Sequence, residues 1–174
     1  MSFKHLFKTK VFVCTGLALA TITAAPSAKA EGYIGGLIGY GIPLAHDFFD
    51  PGMVYGGTIG YRLMPEMSLA FTFLQNKFEL PVDDYKVSQY LLEANFFSLV
   101  GLQAGLHAGL VKGESVLGFS PDGDIGAGVH LGMDVKLADQ FSIGGAAYYT
   151  YVAADGIGGA YSILNLMVPL KIWF

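Results

Sequence analysis

From Glu31 onward, apolar residues recur at every second position, the period of a strand whose two faces meet unlike surroundings. In DIGAGVHLGMDVKL, Ile125, Ala127, Val129, Leu131, Met133 and Val135 share one face, and Gly126, Gly128, His130, Gly132, Asp134 and Lys136 share the other. The closing stretch LNLMVPLKIWF repeats the pattern: Leu164, Leu166, Val168, Leu170, Ile172 and Phe174 lie together, opposed by Asn165, Met167, Pro169, Lys171 and Trp173. The same parsing predicts eight strands, at residues 32–42, 54–63, 67–75, 86–96, 99–110, 125–136, 141–152 and 162–174. Connections at 43–53, 76–85, 111–124 and 153–161 are long and carry Pro, Gly and Asp, whereas Met64-Pro65-Glu66, Phe97-Ser98 and Leu137 to Gln140 read as tight turns. Long and short connections therefore alternate, as in an antiparallel up-and-down sheet.

A soluble sandwich or carrier barrel would alternate too, so the position of the charges decides between water and lipid. With the phase of each strand set by its apolar residues alone, Arg62, Glu93, Asp134, Lys136 and Lys171 all fall on the opposite face. The apolar face carries Met67, Leu69, Phe71, Phe73, Val100, Leu102, Leu106 and Leu110, while Gly101, Gln103, Gly105 and His107 oppose the last of these strands. A soluble barrel places apolar side chains inside and charges outside; here the larger and cleaner face is the oily one. Most segments approach the roughly 9–11 residues that a tilted membrane strand needs. Lipid offers no partner for a free sheet edge, so closure follows. The expected fold is all-β: an eight-stranded antiparallel up-and-down transmembrane β-barrel with long loops at one rim and short turns at the other. Tyr40, Tyr55, Tyr61, Phe96, Phe141, Tyr149, Tyr151 and Phe174 lie near predicted strand ends, where interfacial aromatic girdles belong.

Composition supports this and adds a compartment. The 174 residues are 53% hydrophobic and 14% charged, yet include 24 glycines, which weaken helices and disfavour a helical membrane protein. Residues 1–30 read as a cleaved signal peptide: Lys4, Lys8 and Lys10 form the basic start, VFVCTGLALATITAA the apolar middle, and Ala28-Lys29-Ala30 the cleavage site. The barrel domain is then 31–174. The apolar run of the signal is shorter than the about 20 residues of a spanning helix. Cys14 is the single cysteine and falls inside the signal, and Phe12-Val13 before it do not suit a lipoprotein site; the mature chain has no thiol for disulfide, metal or nucleophile. Cleavage removes four of the ten basic residues and none of the 14 acidic ones, leaving a net charge of −8. That balance argues against a nucleic-acid partner.

The stretches LGMDVKLADQFSIGGAAYYTYV and GGTIGYRLMPEMSLAFTF resemble the paired-strand pattern of the OmpA-like outer-membrane β-barrel domain family, in which a glycine-rich strand, a short turn and an aromatic-alternating strand recur. The closing LNLMVPLKIWF is similar to that family's terminal insertion signal, with Phe174 preceded by Ile172, Leu170, Val168 and Leu166 at alternate positions. The resemblance covers the mature chain. It implies location in the cell outer membrane, contact with outer-membrane lipid and lipopolysaccharide, and recognition of that signal by the barrel-assembly machinery. Two departures follow. Pro169 cannot donate a ladder hydrogen bond, so a bulge or a missing bond is expected there; and no second domain follows, so peptidoglycan tethering is not implied.

Inside an eight-stranded barrel the side chains just fill the bore. Arg62, Glu93, Asp134, Lys136 and Lys171 are predicted to face inward near the turn-side ends of the second, fourth, sixth and eighth strands, with His107 and His130 higher up. An unpaired charge there is costly, so three bases and two acids are expected to pair. Two readings of this polar network stay open: a structural plug, and a gate on a narrow ion path. Inward Gly39, Gly41, Gly56, Gly60, Gly105, Gly109, Gly126, Gly128 and Gly132 leave room that Tyr148, Leu37 and Met167 can fill.

An enzyme is not expected. The small-barrel lipid A deacylases carry His-x-Ser beside an acid, because a serine nucleophile needs a base within reach; here His46, His107 and His130 are each followed by other residues, and Glu114-Ser115 has no local histidine. Asp122-Gly123-Asp124 lacks the remaining ligands of a calcium loop, so neither metal nor cofactor is expected. The loops are acidic, with Asp47, Asp50, Glu79, Asp83, Asp84, Glu114, Asp122, Asp124 and Asp155 against Lys77 and Lys112. The expected role is structural or weakly porin-like in a monomer, with a surface-exposed adhesin acting through these loops as the alternative.

Overall fold

In a computed structural model of the chain the described residues are 31–44, 50–79, 84–97, 102–113, 123–153 and 160–174. The expected signal peptide, His46 and most of the third and fourth long loops lie outside them. The elements are β1 (Gly32–Pro43), β2 (Asp50–Met64), β3 (Met67–Glu79), β4 (Tyr85–Phe97), β5 (Leu102–Gly113), β6 (Asp124–Ala138), β7 (Phe141–Ala153) and β8 (Tyr161–Trp173). Each strand pairs antiparallel with its neighbours, and β1 pairs with β8 to close the barrel.

The strands run beyond the bilayer-length segments read from the sequence. β2 begins at Asp50 and β3 continues to Glu79, because the ladder between them persists into the polar rim, from Met53↔Lys77 to Asp50↔Glu79 across a register shift. Loop-like composition there hid extended backbone. β5 starts at Leu102, and residues 98–101 before it fall outside the described part. The short connections are turns at Pro65-Glu66 and Asp139-Gln140.

The alternation is inside-out. On β8 and at Phe174 just past its end, Leu166, Leu170 and Phe174 are 46%, 53% and 74% exposed, whereas Asn165, Lys171 and Trp173 are 0%, 7% and 5% exposed. On β6, Ile125, Val129, Leu131, Met133 and Val135 face outward and His130 is buried. No helix among the described residues is long and apolar enough to cross a membrane; the crossing elements are strands, which pair with one another around a closed ring. Exposed aromatics mark both rims. Tyr40, Tyr55, Tyr149 and Tyr151 ring the loop side, and Tyr61, Phe96, Phe141 and Phe174 ring the turn side. Tyr40 keeps its hydroxyl satisfied by donating to the Pro51 carbonyl at 3.0 Å. Outward lysines Lys77, Lys86 and Lys112 sit on β3 to β5 near the loop rim, where charge meets headgroups rather than acyl chains.

Pro169 leaves its mark in the seam. The β7–β8 register passes from Ile143↔Leu170 to Ala146↔Met167 around it, while on the other side Leu37↔Pro169 keeps its place in the β1–β8 ladder. The inward glycines hold the walls close. A Cβ on Gly109 would stand 1.8 Å from the Tyr90 carbonyl oxygen of β4, a backbone atom that cannot turn aside. Gly109→Ala is therefore expected to lower the unfolding free energy by about 1–3 kcal/mol, the usual cost of overpacking. Urea titration of the barrel folded into lipid vesicles reads this directly, and an unchanged midpoint would show that the wall can part without cost.

Candidate functional site

The lumen is the only enclosed polar region that the strands build among the described residues, and β3 and β8 read out its layers. From the turn rim upward, β8 presents Trp173, Lys171, Pro169, Met167, Asn165 and Ile163, and β3 presents Ala70, Thr72, Leu74, Asn76 and Phe78.

The lowest layer is aromatic and ionic. Tyr33 and Trp173 pack at 4.8 Å between ring centroids, and the Trp173 indole donates to Ser142 Oγ at 2.9 Å. A Cβ on Gly60, the register partner of Tyr33, would lie 2.2 Å from that ring, so the glycine is what admits the tyrosine. Lys171 Nζ meets Asp134 Oδ2 at 2.6 Å, with Lys171 buried, Asp134 largely so, and Lys171 also 5.2 Å from the centre of the Tyr33 ring. A bare charge here would face low dielectric, and the pair supplies its own counterion. Arg62 takes a different partner, Glu31 at 2.9 Å, and stacks over Trp173 at 4.6 Å. Lys136 is exposed at the mouth, 5.8 Å from the centre of the same indole. The three bases and two acids expected as one network are thus divided: Lys171 pairs with Asp134, Arg62 pairs with Glu31, and Lys136 stands exposed.

Glu93 sits above them, 4% exposed, accepting from the Tyr148 hydroxyl at 3.2 Å. A polar void of about 10 Å³ beside it, lined by residues including Glu93, Asn95, Gln103 and Lys171, has room for about one water molecule. Next to it His107 and His130 are both buried, with Nδ1 atoms 3.2 Å apart, and Tyr148 stacks on His130 at 4.6 Å. Leu37, Val54, Leu74, Leu91, Tyr148 and Met167 fill the remainder of this level, so the space that inward glycines open is packed by side chains.

Higher still, Gln89 donates to Asn76 Oδ1 at 2.7 Å and Asn76 donates to Asn165 Oδ1. This amide triad, spread over β4, β3 and β8, carries no charge; the inward parity of Asn76, Gln89 and Asn165 is its only sequence signal. Beyond it Phe78, Val87, Val111, Val152 and Ile163 form an apolar layer, with Tyr85 and Tyr161 packed against them. The lumen is consequently polar toward the turn rim and closed by hydrocarbon toward the loops. Of the alternating residues proposed as an insertion signal, Leu166, Val168, Leu170, Ile172 and Phe174 all point outward. Among the described residues no group of three or more His, Cys, Asp or Glu side chains is placed to hold a metal.

No family model and no curated protein matches the sequence. Solved structures do match. Neisserial surface protein A is similar over 84% of this chain and 100% of its own, with a TM-score of 0.67 and 16% identity. The attachment invasion locus protein Ail of Yersinia pestis is similar over 83% and 97%, with a TM-score of 0.52 and 17% identity. The outer membrane protein OprG of Pseudomonas aeruginosa is similar over 83% and 96%, with a TM-score of 0.52 and 13% identity. Together with the inside-out alternation and the closed ring of eight strands, these likenesses give the chain the fold of the small outer-membrane β-barrels.

Proposed function

We propose that the protein is an integral outer-membrane barrel, exported by residues 1–30, whose lumen is plugged and whose role is structural, with at most a weak porin-like leak. The observation that carries this reading is the order of the luminal layers. Ions entering from the turn rim, the periplasmic one in barrels of this layout, would meet the Lys171–Asp134 pair and then Glu93. They would then face Phe78, Val87, Val111, Val152 and Ile163, whose side chains offer nothing to replace hydration. The apolar layer makes the barrel a scaffold even where the ionic layer is loosened.

Single-channel recording on the refolded full chain in planar bilayers tests this. Flat traces are expected for the wild type and for the Glu93→Gln, Asp134→Asn double variant, because the apolar layer is intact in both. Discrete openings of the wild type would overturn the reading; openings of the double variant alone would make the ionic layer the gate.

A second reading places the activity in the loops. Ail, one of the solved barrels of this fold, is named for attachment and invasion, and here Asp50, Glu79 and Asp124 stand at the loop ends of their strands, with Asp84 just before β4. The residues between the strand ends that would make such contacts, 114–122 above all, lie outside the described part.

A further inference from the structure

The strands β5 and β6 carry the same five-residue pattern, Gly105-Leu106-His107-Ala108-Gly109 and Gly128-Val129-His130-Leu131-Gly132. Antiparallel pairing centred on Leu106↔Val129 sets Gly105 opposite His130 and His107 opposite Gly128. Each imidazole therefore lies over the other strand's glycine. A Cβ on Gly105 would come within 2.3 Å of His130 Nε2, and one on Gly128 within 2.7 Å of His107 Nε2. The repeat is what lets two rings enter one narrow level of the bore and meet.

Their partners fix the protons. His130 Nε2 faces Asn95 Oδ1, which can only accept, so His130 carries its hydrogen on Nε2. A neutral His130 then has a lone pair on Nδ1, and His107 must donate to it from its own Nδ1 across the 3.2 Å gap. That leaves His107 Nε2 as an acceptor, 2.9 Å from the Thr150 hydroxyl, which donates. The chain runs in one direction, Thr150 to His107 to His130 to Asn95, and ties β7, β5, β6 and β4 together. Its one free lone pair of consequence is at the Thr150 end.

We propose that His107 and His130 form a proton-binding site of capacity one. The incoming proton adds to His107 Nε2; the Thr150 hydroxyl rotates from donor to acceptor; and the N–H···N bridge persists, now between an imidazolium and an imidazole. A further proton would have to enter at His130 Nδ1, where it would meet the His107 N–H, so the two rings cannot both be charged without breaking the bridge. The groups facing the site are Glu93 on β4, beside His107 in the register, Tyr148 on β7, Lys171 on β8, Asp134 on β6 and Tyr33 on β1. Glu93 is the acidic residue set opposite His107 across the β4–β5 ladder. Protons reach the pair from the turn-side mouth through the polar layers, since the apolar layer of Phe78, Val87, Val111, Val152 and Ile163 closes the other end.

The test uses the full chain, labelled with 15N-histidine and folded in lipid nanodiscs, observed by NMR from pH 7 to pH 3. At pH 7 a scalar coupling across Nδ1 of His107 and Nδ1 of His130 is expected. On acidification only His107 Nε2 should gain a proton, with the coupling retained. Thr150→Val removes the acceptor that the charged ring needs and is expected to weaken proton binding about tenfold or more, since a hydrogen bond to a charged group contributes about 1.5 kcal/mol or more. Absence of the coupling at pH 7, joint protonation of both rings with loss of the coupling, or His107 still neutral at pH 3 in the folded barrel would each overturn the proposal. A Thr150→Val titration identical to the wild type would do the same.

Discussion

Asp134→Ala is expected to lower the unfolding free energy by about 3–5 kcal/mol, the cost of leaving one member of a buried ion pair uncompensated. Lys171 makes this the severe case. Its ammonium is held 2.6 Å from Asp134 Oδ2, it is 7% exposed, and it lies 5.2 Å from the centre of the Tyr33 ring. Relief has to come from elsewhere. Replacing both partners with apolar residues of similar volume, as in Asp134→Leu with Lys171→Met, should recover most of the loss, because the interaction and the desolvation it offsets disappear together. Urea unfolding of the wild type, the single variant and the double variant in the same vesicles decides the matter. A double variant as unstable as Asp134→Ala would mean that the pair is held for its hydrogen bonds and shape rather than for its charge. The Arg62–Glu31 pair offers a contrast, since Glu31 is substantially exposed and water can replace it. Exposed pairs contribute about 0–1 kcal/mol, so Glu31→Ala should barely move the same midpoint.

How much of this was legible beforehand depends on the length scale of each feature. Period-two alternation placed Leu166, Leu170 and Phe174 outward and Lys171 and Trp173 inward, because side-chain parity is local and one buried charge rejects a one-residue slip. The parity also turned Arg62, Glu93, Asp134, Lys136 and Lys171 to the inner face, although Lys136 stands exposed at the mouth. It could not say who meets whom. Asp134 and Lys171 are 37 residues apart, and the tilt of strands around a closed ring decides which inward residues share a level. Arg62 goes to Glu31, a residue outside the strands and outside any count of strand-borne charge.

The strand ends were misread for a related reason. Asp50 and Glu79 look like loop residues by composition, yet their backbones pair beyond the lipid, where sequence carries no hydrophobic demand. The amide triad and the apolar cap above it carry no charge to mark them, and Asn76, Phe78 and Val111 lie in stretches whose composition reads as loop. The twin Gly-x-His-x-Gly segments were visible as sequence, but their meaning lies in a register that sets each histidine on the opposite glycine.

The inside-out arrangement itself makes the last strong prediction. Leu106 lies near the middle of β5, 58% exposed, between Ala94 of β4 and Val129 of β6 in the register. Arginine there would stand at the depth of the acyl chains. Leu106→Arg is expected to cost about 2–4 kcal/mol in bilayer-folded protein, the midplane value for a basic side chain on a barrel wall. Leu137, 69% exposed at the turn rim, is the matched control. Its guanidinium could reach headgroups and water, so Leu137→Arg should cost only about 0–1 kcal/mol. The comparison separates depth from burial, since both leucines are exposed on the same outer surface and neither packs inside the barrel. In a body surrounded by water the two substitutions would be equally harmless, and equal unfolding midpoints in phospholipid vesicles would remove the membrane from the account of this fold.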